Sequence, residues 1–117
     1  MEAMLVNTLS PRDKVLAIVS GKFGERWAKM ARAFGCLVHE LKVDWGEAVR
    51  VREVDAWLKE NPDCAAVLCQ ACETSTGVAH PIRELGETVH RHPETLFLVD
   101  GITAVGAYPL PMDEWYI

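Results

Sequence analysis

Two short polar stretches hold the residue types that could do chemistry: "CETSTG" at 72–77 and "DGITAVG" at 100–106. Each follows an apolar run, "AAVLCQA" at 65–71 and "TLFLVD" at 95–100. Hydroxyls and backbone N–H groups of the first suit an oxyanion or a phenolic oxygen. The second offers one carboxylate, Asp100, at the end of a hydrophobic run. A few convergent polar groups on an apolar base are what a small-molecule site needs. The same residues also have a plainer use, since Ser/Thr loops lead into helices and an Asp after a strand caps a turn.

Other chemistry is less well supported. Cys69 and Cys72 form a C-x-x-C, but no helix start precedes the first and no second ligand pair accompanies them, so redox and zinc roles lack their usual setting. Cys36, Cys64, Cys69 and Cys72 are expected to be reduced, structural thiols. His39, His80, His90 and His92 are expected to be solvated, with no metal bound, because His90 and His92 are two apart at a helix end and diverge. "GKFGER" lacks the spacing of a phosphate-binding P-loop, and no G-x-G-x-x-G occurs.

The elements that must position the two polar stretches alternate regularly. Lys14 to Ser20, Leu37 to Leu41, Ala65 to Ala71 and Thr95 to Asp100 read as strands with little polar alternation. Between them, Trp27, Met30, Ala31 and Phe34 recur at helical spacing, and Gly35 ends that helix. Val51, Val54, Trp57 and Leu58 mark a second helix, closed by Asn61-Pro62. Ile82, Leu85 and Val89 mark a third, opened by Pro81 and ended at His92-Pro93. Met1 to Leu9 reads as the end of a further helix, and Trp27 and Trp57 as core anchors.

Strands buried on both faces and separated by crossover helices imply an α/β three-layer sandwich with a mostly parallel sheet of about four strands, residues 1–117 being one α/β domain. In such sheets ligands bind beyond the carboxyl ends of the strands, where both polar stretches fall. The chain has 117 residues, half of them apolar, and a net charge of −5 with Lys and Arg dispersed. That pattern excludes a basic footprint for nucleic acid or anionic lipid. No apolar run reaches about 18 residues and no signal-peptide pattern opens the chain, so the expected location is cytoplasmic.

The ordered motifs "GKFGERW", "ETSTGV" and "VDGITAVGAYPL" resemble the class V, fold type I pyridoxal-phosphate aminotransferases, in particular their serine–pyruvate and alanine–glyoxylate branch. The similarity covers essentially the whole chain. It implies amino-group transfer between a small amino acid and a 2-oxo acid on pyridoxal 5'-phosphate. By position, Asp100 matches the carboxylate that pairs with the pyridine nitrogen, Thr74 the hydroxyl near the phenolic oxygen, and Ile102 the apolar residue on one ring face. Thr103 and Gly106 are expected to shape the turn.

No residue here matches the family's Schiff-base lysine. Lys14, Lys22, Lys29, Lys42 and Lys59 all lie in earlier elements. The phosphate-holding turn and the substrate-binding Arg have no counterpart in this stretch either. The resemblance therefore implies a piece of the large domain, with no catalytic lysine of its own, inactive alone and not stably loaded with cofactor. A non-catalytic α/β interaction module and one half of a split aminotransferase are the alternatives. The expected strand order is fourth, third, first, second, leaving "TLFLVD" as an apolar edge that favours self-association or a partner chain.

Overall fold

Strand β1, Lys14–Val19, sets the layering of the molecule. Its side chains alternate between the two sheet faces, and Val15 through Val19 are all buried, which only a sheet covered on both sides permits. In the computed structural model, which describes residues 1–117, Val15, Ala17 and Val19 join one apolar cluster and Leu16 and Ile18 the other.

The remaining elements follow in chain order. Helix α1 spans Glu2–Thr8, α2 Lys22–Phe34, β2 Leu37–Lys42, α3 Val51–Glu60, β3 Cys64–Gln70, β4 Cys72–Glu73, β5 Val78–Ala79, α4 Ile82–Val89 and β6 Leu96–Asp100. The four long strands form one parallel sheet in the order β2-β1-β3-β6. The expected order of fourth, third, first, second strand is therefore the observed one.

Helices α1 and α2 cover one face through Leu5, Trp27, Ala28 and Ala31. Helices α3 and α4 cover the other through Val54, Leu58, Ile82, Leu85 and Val89. Helix α2 ends at Gly35 in a left-handed conformation (φ 100°), its N–H bonded to the carbonyls of Ala31 and Arg32, a geometry that suits a residue without Cβ.

Two details differ from the sequence expectation. Residues 72–79 are an antiparallel hairpin, β4 paired with β5, instead of an irregular loop. Strands of two residues leave no periodic signal, and the turn is closed by the Glu73 carbonyl accepting from the N–H groups of Thr76 and Gly77. The edge strand β6 is also better covered than its composition suggests. Leu96 is exposed, but Phe97, Leu98 and Val99 are buried. The segment after β6 folds back, with Tyr108, Leu110, Trp115 and Ile117 against the α3/α4 side of the core. Gly86 of α4 permits this: a Cβ there would collide with the carbonyl oxygen of Trp115.

Candidate active site at the carboxyl edge of the sheet

The parallel strands bring their carboxyl ends to one edge, where β1 runs into α2, β3 into the hairpin, and β6 into residues 101–108. The first of these junctions has a problem to solve. Helix α2 begins after Gly21, which supplies no capping side chain, so its leading N–H groups lack partners within the helix. The hairpin provides them. Glu73, with no solvent exposure, accepts from Gly24 N at 2.9 Å and Phe23 N at 3.3 Å. Its carboxylate also accepts from the backbone N–H of Ser75 at 3.2 Å and from the Ser75 hydroxyl at 2.6 Å. Ser75 Oγ in turn accepts from Lys22 N at 2.9 Å.

A carboxylate at a helix N-terminus is also favoured by the helix dipole. The approach is so close that a Cβ on Gly21 would lie 2.4 Å from Ser75 Oγ and 2.6 Å from the Glu73 side chain. Gly24 lets α2 lie against β1, since a Cβ there would come within 2.7 Å of the Ile18 carbonyl. The two glycines of "GKFGE" are thus required by packing.

The hairpin held in this way carries Thr74, which is exposed. Its hydroxyl donates to Thr103 Oγ1 at 3.3 Å, and the Thr103 hydroxyl donates to the Cys72 carbonyl at 3.4 Å. Thr103 therefore ties residues 101–108 to the hairpin. Asp100 ends β6, half-buried, its carbonyl accepting from Ala71 N. Its Oδ1 accepts from Ile102 N at 3.3 Å, and Oδ2 receives no hydrogen bond from the protein. Ile102 is 81% exposed. Asp100 and Thr74 thus share the carboxyl edge, bridged through residues 101–103, with no hydrogen bond between them.

In register beside Asp100 is Gln70, which by alternation shares its sheet face. Gln70 is 1% exposed, yet both polar atoms of its amide lack a protein partner. The Tyr108 hydroxyl is likewise buried without a partner. Burial, with smaller contributions from Cys72 and Cys69, pushes its pKa up.

Cys36, Cys64 and Cys69 are buried and Cys72 half-buried. Burial pushes the Cys64 thiol up to about 11 and raises Cys69 and Cys36 as well, so these three stay protonated and weakly nucleophilic. No three His, Cys, Asp or Glu side chains gather as a metal site would require. The expectation of solvated histidines fails at His80, which is buried, with its ring bonded to Ser20 and Val49. Its tertiary partners are 60 and 31 residues away, beyond the reach of any local pattern.

Nothing in the spacing of "CETSTG" singles out Glu73. The available signal was indirect: a helix opening at Gly21 without a Ser, Thr, Asp or Asn cap needs a cap from elsewhere.

The family model for class-V aminotransferases matches residues 2–117. The chain belongs to the class-V aminotransferase family. It is 36% identical over 115 residues to the soluble hydrogenase 42 kDa subunit of Anabaena cylindrica, covering 97% of this chain and 30% of that one. The alanine–glyoxylate aminotransferase of Nostoc sp. superposes with a TM-score of 0.93 at 35% identity, over 100% of this chain and 30% of that one. The ureidoglycine–glyoxylate aminotransferase of Bacillus subtilis gives a TM-score of 0.93 at 32% identity, over 99% and 30%. This class-V chain therefore spans about 30% of the length of the relatives it matches.

Replacing Glu73 tests the edge directly. Glu73→Ala strands buried N–H donors of α2, each costing roughly 1–3 kcal/mol. Urea denaturation of E73A is expected to show a loss of at least about 2 kcal/mol, with E73Q losing less because one acceptor oxygen remains. An E73A variant as stable as the parent would rule out the capping role.

Proposed function

We propose that these residues form one part of a pyridoxal-phosphate site that transfers an amino group between a small amino acid, such as serine or alanine, and a 2-oxo acid. The observation that carries this reading is the unsaturated carboxylate of Asp100 at the carboxyl end of a parallel strand, beside the Thr74–Thr103 hydroxyl pair. The donor set fits the cofactor: an anion for a protonated ring nitrogen, a hydroxyl for a phenolic oxygen, and an exposed apolar side chain for a ring face. Pyridoxal phosphate, when bound, supplies an electron-withdrawing ring that stabilises negative charge on the substrate carbon.

The chain's own residues have separate tasks in this reading. Asp100 holds a proton at the ring nitrogen, because an adjacent carboxylate favours the cationic form. Thr74 orients the ring through its hydroxyl, and Ile102 shields one face from water. Thr103 keeps the two segments at a fixed separation.

A covalent anchor is not expected from these residues. Lys14, Lys22, Lys29, Lys42 and Lys59 all lie in elements before the candidate site residues of β6 and the segment after it, and none matches the position of the family's lysine. The chain alone is read as inactive, the lysine coming from further sequence or from a partner chain. Four unpaired cysteines support a cytoplasmic location, and no helix is long and apolar enough to cross a membrane.

Titration of 15N-labelled protein with pyridoxal phosphate, followed by borohydride reduction and peptide mapping, tests the reading. Localised amide shifts at 73–75 and 100–103 are expected, abolished by Asp100→Ala, with only scattered lysine labelling. Because the phosphate-holding turn has no counterpart in this stretch, the shifts are expected only at high cofactor concentration; shifts centred elsewhere, or unchanged by Asp100→Ala, would refute the assignment of the site. Stoichiometric labelling of one lysine would refute the absence of an anchor.

The outer side of β6 supports a further protein contact. Strand β6 pairs with β3 alone, and Leu96, Ile102 and Val105 are exposed nearby at 45%, 81% and 72%. An unpaired strand edge with apolar neighbours is a template for association. Sedimentation at micromolar concentration is expected to show self-association weakened by Leu96→Lys. A monodisperse monomer would count against it.

A further inference from the structure

His80 joins four parts of the carboxyl edge. Its Nε2 lies 2.7 Å from Ser20 Oγ, at the end of β1. Its Nδ1 accepts from Val49 N at 3.1 Å, in the segment entering α3. Its own N–H donates to the Ala71 carbonyl at the base of the hairpin, and its carbonyl accepts from Ile82 N at the start of α4. Ser20 extends the connection, its carbonyl accepting from Thr76 Oγ1 at 3.4 Å. Ser20, Val49 and His80 are all buried.

The bonds fix the tautomer. Val49 N–H requires a lone pair on Nδ1, so the proton of the neutral ring sits on Nε2 and is donated to Ser20 Oγ. His80 therefore has no free lone pair with which to take a proton from Ser20, and a Ser–His nucleophile is excluded. A second proton can enter only at Nδ1, where it would meet the Val49 N–H donor head-on.

We propose that His80 is a proton-operated latch: as a neutral imidazole it holds the end of β1, the entry to α3 and the hairpin bearing Thr74 in one arrangement, and protonation at Nδ1 releases Val49 and loosens that hairpin. The surroundings keep the latch closed at neutral pH. Burial lowers the His80 pKa, opposed by the charge of Glu73. Glu73 is the ionisable group facing it from the hairpin. The end of β1 contributes only the Ser20 hydroxyl. Glu47 and Arg50 of the α3 entry and Arg83 and Glu84 of α4 are exposed, with Arg50 turned to Glu53.

The sign follows from the depressed folded pKa. Above the ordinary histidine value of about 6.5, both folded and unfolded states carry a neutral ring and the latch contribution is complete. As pH falls below that value, the unfolded chain takes up the proton first, and stability is lost down to the lower folded value.

The latch stands apart from cofactor binding and is tested without it. In 13C- and 15N-labelled protein taken from about pH 7.5 to about pH 5, the Val49 amide and the amides of 73–77 are expected to shift with the midpoint of the His80 ring, below its ordinary value. Protection of the Val49 amide should fall in step with titration of the ring, after correction for intrinsic exchange. His80→Gln offers an acceptor to Val49 and a donor to Ser20 without titrating, and should abolish the transition. The proposal is overturned if those amides stay flat while the ring titrates, or if the transition survives in H80Q. Should H80Q fail to fold, the coupling of ring and amides in the parent decides alone.

Discussion

A buried carboxylate at a helix N-terminus governs the geometry of this protein's carboxyl edge. Glu73 occupies the position that an N-cap side chain of α2 would fill, accepting from Phe23 and Gly24 and from Ser75 of its own hairpin. Because Glu73 directly follows Cys72 at the end of the β3 crossing and α2 directly follows β1, one group locks two neighbouring strand ends together. A buried charge is tolerable only when its lone pairs are filled, and here four hydrogen bonds fill them. Gly21 and Gly24 are the complementary condition, since any side chain at either position would force the partners apart.

The candidate site inherits its shape from that lock. Thr74 is the next residue after Glu73, so its exposure at the edge is fixed by a bond made one residue earlier. Asp100 is placed independently, by the register of β6 on β3. Thr103 joins the two through Thr74 and the Cys72 carbonyl. Gln70, buried beside Asp100 with an unfilled amide, shows that polarity at this edge extends beneath the surface, where an unpaired group is costly.

Sequence made the scaffold legible because parallel strands covered on both faces must be apolar at nearly every position, as in "KVLAIV" and "AAVLCQ". Helical spacing then identified the inward faces of α2, α3 and α4, including Trp27 and Leu58. The motifs after β3 and β6 marked the edge and the family. What stayed hidden was tertiary in origin. Glu73 reads as one polar residue among several in "CETSTG", and its role exists only once α2 is packed above it. His80 is a single histidine between Ala79 and Pro81 with no periodic pattern to place it, and its burial depends on Ser20 and Val49 closing over the ring. The hairpin strands are too short to show a period, and the approach of the Trp115 backbone to α4 depends on Gly86 lacking a side chain.

Native-state hydrogen exchange at the start of α2 tests the central claim most directly. The N–H groups of Phe23 and Gly24 precede the first intrahelical donor, Glu25 N–H, which bonds to the Gly21 carbonyl, and they would exchange within seconds if open to water. With Glu73 bonded to them, their amides are expected to exchange as slowly as those of β1 and β3, opening only with global unfolding. Exchange at Phe23 and Gly24 as fast as at an unbonded surface amide would contradict the account, because the carboxyl edge would then be held together by something other than Glu73.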